Sequence, residues 1–599
     1  MTNQYPLSWD MSPFFGGESN SDKQKAFLHN VEGNIKILHN MLQEMNTEEN
    51  RQQAASWVEL LTGYQDTASQ IKELSSFGSC MSAQDLGDQN AKLLVGSVRK
   101  VSADFASLRS RLEEVAQNVP QDQWEKLLAS PSLKPLAFNL NEIREKAADK
   151  MAAELEILAN DLSVSGYHAY PDLYNTIVGK MSIPYTQDGE EKQLSVSQAA
   201  NMLLSTDPQV RTAMSEKWEE AWAHNADLFA HALNHLGGFR LALYRHRGWE
   251  SVLREPVSGS RMTQETLDAM WEAINQGKDR MVEYLNRKAK LLGKEKLGWH
   301  DVSVPLGSSE TKIPYDQAAH FIIDQFRQFS PKMADFAQRA FAEGWIEAED
   351  RPGKRPGGFC ANFPVSKQSR IFLTYGGTQS NVATIAHELG HAYHNFVTSD
   401  LPALTTAFAM NVAETASTFA EIIVADAALK LAKDDDERIL LLEDKLERSV
   451  AFFMNIHARF IFEQDFYEHR KNGLVSVGTL NELMVSAQKE AFREALADYH
   501  PHFWAAKAHF YNTGVPFYNY PYTFGYLFSL SVYARALEEG TGFEDKYVEL
   551  LRDTGRMTVE ELAQKHLGAD VTKTDFWSGG VRLVLEDVEQ FLALTNDRV

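Results

Sequence analysis

The sequence has few cysteines, no long apolar run and no excess of positive charge. Its 599 residues include two cysteines, Cys80 and Cys360, which are too few and too far apart for a disulfide-stapled fold. No run of about 18 or more apolar residues occurs, so the sequence predicts no membrane-spanning helix. With 59 Lys and Arg against 82 Asp and Glu, the formal charge is −23. This argues against binding to nucleic acid or to an anionic membrane, because phosphate groups attract a basic surface.

The composition and the first residues narrow the class of protein further. Hydrophobic residues make up 44% of the chain and charged residues 24%, close to the globular average, which excludes a disordered or collagen-like chain. The segment 1–17 has no basic stretch followed by an apolar one, so it does not resemble a secretory signal. We therefore expect a soluble, cytoplasmic protein of enzyme size.

Apolar residues recur at helical spacing along most of the chain, as Ile35 and Leu38 do. The pattern changes at residues 351–364, which are rich in Gly and Pro and are predicted to form a loop. Residues 369–375 are a short β-type run. The sequence therefore predicts a mainly α fold with one small β-region.

The strongest motif is His387-Glu388-Leu389-Gly390-His391. Two histidines four positions apart lie on one face of a helix, so both imidazoles can reach one Zn²⁺ at about 2.0–2.1 Å. In such motifs the glutamate after the first histidine, here Glu388, is not a ligand but the base that takes a proton from the metal-bound water. The position of the motif on a predicted helix, after a Gly-rich loop and a strand, favours a metal site over a chance match.

A catalytic zinc needs a third protein ligand and an open position for water. The helical stretch 408–421 carries two candidates, Glu414 and Glu421, two turns apart on one face. Either carboxylate could bind. The small residues around Glu414 favour it, because they allow a metal and another helix to approach closely, and Glu421 would then orient a ligand histidine.

The segments HELGHAYH (387–394) and ETAS (414–417) together resemble the oligoendopeptidase F branch of the thimet-oligopeptidase family of zinc peptidases. The resemblance covers essentially the whole chain, with further matching segments at 7–15, 357–363, 371–377, 509–511 and 516–526. When the metal ligands of that family are transferred to the matching positions here, the resemblance implies one Zn²⁺ per chain, held by His387, His391 and Glu414. It also implies that Glu388 is the general base.

The same resemblance implies an elongated helical metallopeptidase with a deep, narrow substrate cleft, the zinc helix at its base and a small β-region beside the site. A shift in composition at 163–190 is the best candidate for a domain boundary. We therefore predict an N-terminal helical cap domain over residues 1–190 and a catalytic zinc-peptidase domain over 191–599. The implied partners are short, unstructured peptides, and neither nucleic acid nor a membrane.

Residues 509–526 are predicted to form an aromatic loop that stabilises the oxyanion of peptide hydrolysis. A neutral Tyr O–H or His N–H can hold the side of the oxyanion that zinc does not. The resemblance gives this role to His509 and to tyrosines of the loop. Among the tyrosines, Tyr518 and Tyr522 are the first candidates for this role, and Tyr520 and Tyr526 are the second. A structural aromatic cluster would explain any one of these tyrosines equally well.

Several other features have competing interpretations. The strand at 371–375 is either an edge strand that pairs with the substrate backbone or the inner strand of a small sheet. His394 is predicted to lie on the helix surface, or to orient a ligand, rather than to bind metal. The segment HPH at 500–502 lacks a matching carboxylate and is predicted to be a loop.

The function predicted from these observations is a zinc-dependent oligoendopeptidase that cuts internal bonds of short peptides, with the zinc-bound water activated by Glu388. A peptidyl-dipeptidase that releases C-terminal dipeptides is one alternative. It would need a cationic group for the terminal carboxylate, which the sequence alone does not show. A zinc-stabilised peptide-binding protein without turnover is the other alternative, and the intact Glu388 argues against it.

Overall fold

The computed structural model describes residues 4–187, 190–307 and 312–599. Over these residues the chain is mainly helical, with one two-stranded and one three-stranded sheet, so the predicted fold class is confirmed. Within the same residues, no helix combines the length and the apolar character needed to cross a membrane.

The helices fall into an N-terminal series, a middle series and a C-terminal series. The N-terminal series is α1 (Asp22–Glu44), α2 (Glu48–Gln52), α3 (Ala54–Gln84), α4 (Gln89–Gln117), α5 (Gln121–Leu128), α6 (Ala137–Ala148), α7 (Ala153–Ser165) and α8 (Tyr170–Lys180). The middle series is α9 (Val196–Met202), α10 (Pro208–His224), α11 (Ala226–His246), α12 (Arg254–Gly259), α13 (Gln264–Leu291), α14 (Tyr315–Phe329) and α15 (Pro331–Ala342).

The C-terminal series contains the candidate site. It is α16 (Gln379–Val397), α17 (Met410–Ala413), α18 (Thr415–Leu431), α19 (Asp435–Val450), α20 (Ile456–Arg470), α21 (Val477–Ala491), α22 (Phe503–Ala506), α23 (Tyr520–Glu539), α24 (Phe543–Asp553), α25 (Val559–Leu567) and α26 (Thr574–Leu594). A π-helical turn, Ala451–Asn455, joins α19 to α20.

The strands form two separate sheets. Strands β1 (Ile183–Gln187) and β2 (Glu190–Leu194) are an antiparallel pair that the sequence analysis did not predict. Strands β3 (Ile346–Glu347), β4 (Phe359–Phe363) and β5 (Gln368–Phe372) form the other sheet in the order β3-β5-β4. Strand β5 is parallel to β3 and antiparallel to β4.

The three-stranded sheet corrects two predictions. The last part of the predicted loop at 351–364 is strand β4, because Ala361 and Phe363 bury their side chains while the Gly- and Pro-rich residues before them form the turn. Strand β5 is paired on both sides, so the inner-strand interpretation is right and the edge-strand interpretation is wrong. At Ile371 and Phe372 the strand pairs with β3 on one side and with β4 on the other, so these main-chain groups are not open to a substrate.

Two hydrophobic cores meet at this sheet. The first lies among α1, α3, α4, α5 and α6 and includes Phe363 and Phe372 of the sheet. The second and larger core includes buried residues of α13, α16, α18, α23 and α26. Helix α16 packs against β4 and β5 and also against α18, so it lies where the two cores adjoin. The predicted domain division near residue 190 stays a prediction.

Lys278 of α13 is fully buried, and no carboxylate among the described residues forms an ion pair with it. Its Nζ atom lies 2.6 Å from Nδ1 of His457. Burial, and then the charge of Arg493, lower the pKa of Lys278 to about 7 from the ordinary value of 10.5. The unfolded chain therefore binds more protons at this group than the folded chain does between these two pH values. It follows that the free energy of unfolding rises with pH over this window.

We expect Lys278→Met to remove this pH dependence, because methionine fills a similar volume without a titrating group. The difference in melting temperature, wild type minus variant, should be larger at about pH 9.5 than at about pH 7.5. The corresponding difference in the free energy of unfolding should rise by at most about 1.4 kcal/mol per pH unit. Calorimetry measures this, with the exposed Lys290→Met on the same helix as the control. An equal difference at both pH values would mean that Lys278 does not titrate as described.

Candidate metal centre

Helix α16 carries the motif with its polar side turned away from the core. Thr378 caps the helix: its Oγ1 accepts a hydrogen bond from the Asn381 N–H at 3.1 Å, and the Asn381 Oδ1 accepts one from the Thr378 N–H. The apolar face of the helix is fully buried, and comprises Val382, Ile385, Ala386 and Leu389. His387 and His391 therefore project together on the opposite side, with ring centroids 5.0 Å apart.

The third candidate ligand depends on a close approach between α16 and α18. A Cβ atom on Gly390 would lie 2.4 Å from the carbonyl oxygen of Ala416 and 2.6 Å from the Cα of Ser417. Only glycine fits between the two helices at this point. This contact brings Glu414, the residue before α18, up to the two histidines.

His387, His391 and Glu414 each offer one ligand atom, and these atoms all lie within 4.8 Å of one another. The Glu414 Oε2 lies 3.3 Å from the His387 Nε2 and 3.5 Å from the His391 Nε2. Ligands bound tetrahedrally at about 2.0–2.2 Å are separated by about 3.3–3.6 Å. The donor atoms and their separations thus fit a zinc ion, and the Ser417 hydroxyl supports the arrangement by donating to the Glu414 Oε2 at 2.8 Å.

Glu421 lies on the far side of His387 from Glu414. The His387 Nδ1 lies 3.2 Å from the Glu421 Oε2 and donates to it, so a neutral His387 would carry its lone pair on Nε2, on the side of Glu414 and His391. The other oxygen of Glu421 accepts from Arg448, which also pairs with Asp444. The ring of His387 is therefore held in one orientation by a chain of charged groups.

Electrostatics at the three residues favour a positive charge between them. Burial would lower the pKa of His387, but its hydrogen bonds to Glu414 and Glu421 outweigh this and raise it to about 10. Burial would raise the pKa of Glu414, but its hydrogen bonds to the two histidines hold it well below the usual range. A carboxylate that stays ionised beside two imidazoles is a suitable donor set for a divalent cation.

A cavity of about 920 Å³ opens beside this centre. Its walls come from α3, β4, α16 and the residues before α18, so the N-terminal helices supply one side. Glu388 lines the cavity, is 7% exposed, and has its pKa raised by burial. In the described part of the chain, no hydrogen bond or ion pair engages its carboxylate, which is therefore available to a molecule in the cavity.

The aromatic segment 509–526 is less of a loop than predicted. His509 lies on a single 3-10 turn, Ala508–Tyr511, and α23 begins at Tyr520, with Pro521 in its first turn. Proline is well tolerated there because the first helical N–H groups have no partner within the helix. The aromatic residues thus divide between a short turn and a helix.

The structure separates the four candidate tyrosines into two pairs. Tyr520 and Tyr526 are buried, with hydroxyls bonded to Ser260 and Ser449, respectively. Tyr518 and Tyr522 are half-buried, and the Tyr522 hydroxyl donates to that of Tyr518 at 3.0 Å.

Tyr522 is influenced by the charge of the candidate ligand Glu414. Burial, then Tyr518, then the charge of Glu414 raise the pKa of Tyr522, so it stays a protonated donor. Helix α23 itself packs on Glu414, because a Cβ on Gly525 would lie 2.8 Å from the Glu414 Cβ. The accessible tyrosine pair therefore lies next to the candidate ligand.

His509 lies beside Tyr518, with ring centroids 5.2 Å apart. Its Nδ1 is 2.7 Å from the Asn519 Oδ1 and 3.3 Å from the Arg459 Nη1. Asn519 Oδ1 also accepts from Arg459 at 2.9 Å, so the amide oxygen faces both groups. The shorter contact favours a hydrogen on Nδ1 and leaves the His509 Nε2 as an acceptor. Sequence reasoning missed Arg459 and Asn519, because nothing in their local pattern marks them.

His394 neither lies on the helix surface nor hydrogen-bonds to a ligand residue, the two roles predicted for it. It is 1% exposed, and its Nε2 lies 3.1 Å from the Leu551 carbonyl oxygen and 2.9 Å from the Thr554 Oγ1. Its ring stacks on Phe408, and burial lowers its pKa to about 4. His394 is therefore a neutral residue that ties α16 to α24.

Two family models match the chain. The model described as Peptidase family M3 matches residues 201–581, and the model described as Oligopeptidase F matches residues 117–182. The helical fold and the cluster of His387, His391 and Glu414 define the class of protein, a helical protein with a candidate metal centre. It belongs to Peptidase family M3, whose model covers more than half of its length. The resemblance noted from the sequence is thereby confirmed.

Individual relatives are distant. An oligoendopeptidase F homolog of Lactococcus lactis is 25% identical over 343 residues, which is 56% of each protein, so the chain spans little more than half of that relative. Oligopeptidase PepF of Bacillus subtilis is 21% identical over 544 residues, or 89% of this chain and 80% of that protein.

Solved structures show the same fold. A putative peptidase from Chlamydophila abortus superposes with a TM-score of 0.82 at 20% identity, over 98% of both chains. Oligoendopeptidase-F from Enterococcus faecium gives a TM-score of 0.70 at 17% identity, over 95% of this chain and 99% of that one.

Proposed function

We propose that the protein is a zinc-dependent oligoendopeptidase that hydrolyses internal bonds of short, unstructured peptides. The observation that carries the proposal is the juxtaposition of His387, His391 and Glu414 with the unengaged carboxylate of Glu388 at the wall of a large cavity. Membership of a peptidase family supports it. A protein that only bound peptides would gain nothing from a buried carboxylate kept free of partners beside the ligands.

His387 and His391, through Nε2, and Glu414, through Oε2, would hold one Zn²⁺ per chain. When bound, the ion would supply a Lewis acid that polarises a water molecule and the scissile carbonyl. Glu421 would keep the His387 lone pair aimed at the ion.

Glu388 would move the proton. Its carboxylate would accept a proton from the attacking water and then deliver it to the nitrogen of the leaving amine. Glu388 follows His387 directly on α16, which lets it reach a molecule held at the ligands.

Tyr518 would donate to the oxyanion, and Tyr522 would support it by donating to the Tyr518 hydroxyl. Because Tyr522 donates to Tyr518, the hydroxyl hydrogen of Tyr518 is left for a substrate oxygen. With its hydrogen on Nδ1, toward Asn519, His509 would accept from an N–H group of the peptide at Nε2. The contact of Nδ1 with the Arg459 Nη1 favours a second tautomer, with the hydrogen on Nε2. In that second tautomer His509 would join Tyr518 as a donor.

We also propose that residues 1–190 cap the cleft and that residues 191–599 carry the chemistry. The contribution of α3 to the cavity wall supports this division, since a helix over the cleft would keep folded proteins out. A cytoplasmic location is part of the proposal, supported by the two free cysteines, Cys80 and Cys360.

A digest of mixed peptides tests the proposal. Peptides of about 5 to 30 residues and one folded protein are incubated with the enzyme, with and without a chelator, and read by mass spectrometry. We expect internal cuts in the peptides only, lost with chelator and restored by zinc. If the enzyme releases only C-terminal dipeptides, the protein is a peptidyl-dipeptidase and not an endopeptidase. A zinc-loaded protein that cuts nothing would leave only peptide binding.

A further inference from the structure

Arg459 and Lys507 lie beside His509 without a carboxylate partner. Neither forms an ion pair with any described residue. The Arg459 guanidinium is instead held by neutral groups: its Nε and Nη2 donate to the Asn455 Oδ1 at 2.8 and 2.6 Å, and its Nη1 to Asn519. Asn455 ends the π-helical turn before α20, so the chain is irregular where it fixes Arg459.

Lys507 has even fewer contacts. Its Nζ lies 5.1 Å from the Phe503 ring centroid, and the Arg459 Cζ lies 5.3 Å from the same ring. No acceptor for the three ammonium hydrogens occurs in the ranges that the structure covers. The guanidinium has five N–H bonds, and its contacts leave at least one on Nη2 unused. Several charged donors are therefore available together.

This arrangement is costly and differs from that of two other enclosed cations of the C-terminal helices, Lys445 and Arg448. Lys445 pairs with Asp426 and Asp587, and Arg448 pairs with Glu421. For Arg459 and Lys507, burial is the first cause that lowers the pKa, to about 10 and about 8. A buried cation without a counter-charge is unfavourable until an anion arrives.

Both cations are nevertheless partly exposed, as His509 is, so a ligand can reach them. They adjoin the candidate reaction site: Arg459 contacts His509, His509 packs on Tyr518, and Tyr518 bonds to Tyr522 beside Glu414. The protein as a whole carries a formal charge of −23, which would otherwise repel an anionic substrate.

We propose that Arg459 and Lys507 form a subsite that binds a carboxylate group of the peptide substrate, next to His509 and the tyrosine pair. This inference rests on the proposed peptidase function and names the substrate feature that its cleft recognises. Charge-assisted hydrogen bonds from the free N–H groups would hold the carboxylate. Its source is either the C-terminus of the peptide or an acidic side chain. In both cases the subsite would fix which bond lies at the metal centre.

Paired peptides test the subsite. One pair has the same sequence with a free C-terminal acid or a carboxamide. A second series, with carboxamide ends, carries Asp or Asn at each position in turn. We expect wild-type kcat/KM to favour the carboxylate member of one pair by about tenfold or more. Lys507→Gln should bring that ratio close to one, and Lys507→Glu should invert it. Lys471→Gln, an exposed lysine paired with Glu468, should keep the wild-type ratio.

Binding is measured as well, so that the test does not depend on turnover. Calorimetry with the zinc-loaded Glu388→Gln protein gives the Kd of each peptide, and the same ratio is expected there. Preference for the free acid assigns the subsite to the C-terminus, and preference for Asp assigns it to a side chain. Ratios near one in both pairs, or a ratio that Lys507→Gln leaves unchanged, would overturn the subsite. Carboxylate-dependent binding without cleavage by the wild type would reject the peptidase and keep the subsite.

Discussion

Replacement of Glu388 by glutamine is expected to lower kcat/KM by about 10²- to 10⁴-fold, the usual contribution of a positioned proton-transfer group. Glutamine keeps the size and polarity of the side chain but cannot accept a proton from water. Since no hydrogen bond or ion pair among the described residues engages the Glu388 carboxylate, the metal content should match that of the wild type and the melting temperature should not fall. Peptide turnover, elemental analysis and a thermal melt of the purified variant measure these three quantities.

Glu59→Gln is the control for this variant, because Glu59 is exposed on α3 and has no partner within the described residues. It should leave turnover and metal content unchanged. A Glu388→Gln protein with activity within about tenfold of the wild type would remove Glu388 from the proposed mechanism. Loss of the metal in that variant would instead make Glu388 part of the binding site.

Truncation of the two acidic partners of His387 is expected to weaken metal binding to different degrees. Glu421→Ala removes only the group that orients the His387 ring, and a loss of about 10- to 100-fold in affinity is typical of such partners. Glu414→Ala removes one of three ligand atoms and should lower the affinity by more than that. Competition with a chromophoric chelator measures the affinity of each protein.

The exposed Glu482→Ala serves as the reference for the pair, since it changes charge by the same amount far from any described partner. It should bind metal as the wild type does. If Glu421→Ala lowers the affinity more than Glu414→Ala, the two residues have exchanged roles, and Glu421 is the ligand. Equal and small losses would contradict a metal centre built on this pair.

Much of the candidate centre could be predicted because its residues are related by helical spacing. His387, Glu388 and His391 lie on one helix, so their mutual placement depends on local geometry alone. The helical stretch after the motif offered Glu414 or Glu421 as the third ligand, and the small residues around Glu414 favoured it, as the resemblance to a known family then did. Both glutamates do contact His387, one on each ring nitrogen.

Other predictions failed where packing between distant segments decides the outcome. His394 follows the motif on α16, but α24 covers it, some 157 residues further along the chain. His502 of the segment HPH, predicted to lack a carboxylate, lies 2.9 Å from Glu219 on α10, which also pairs with His500. Strand β4 was not predicted, because it follows directly on Gly- and Pro-rich residues and its pairing with β5 is not a local property.

The sequence by itself determined the mainly helical fold, the helix that carries the histidines and the choice of two glutamates, because these follow from apolar periodicity and from residue spacing within single helices. Only the tertiary structure decided that Tyr518 and Tyr522 are accessible while Tyr520 and Tyr526 are buried, and that Arg459 and Lys507 meet beside His509. Those facts depend on how α20, α23 and the turns between them pack. Packing is set by side-chain fit over the whole molecule, which local spacing does not encode.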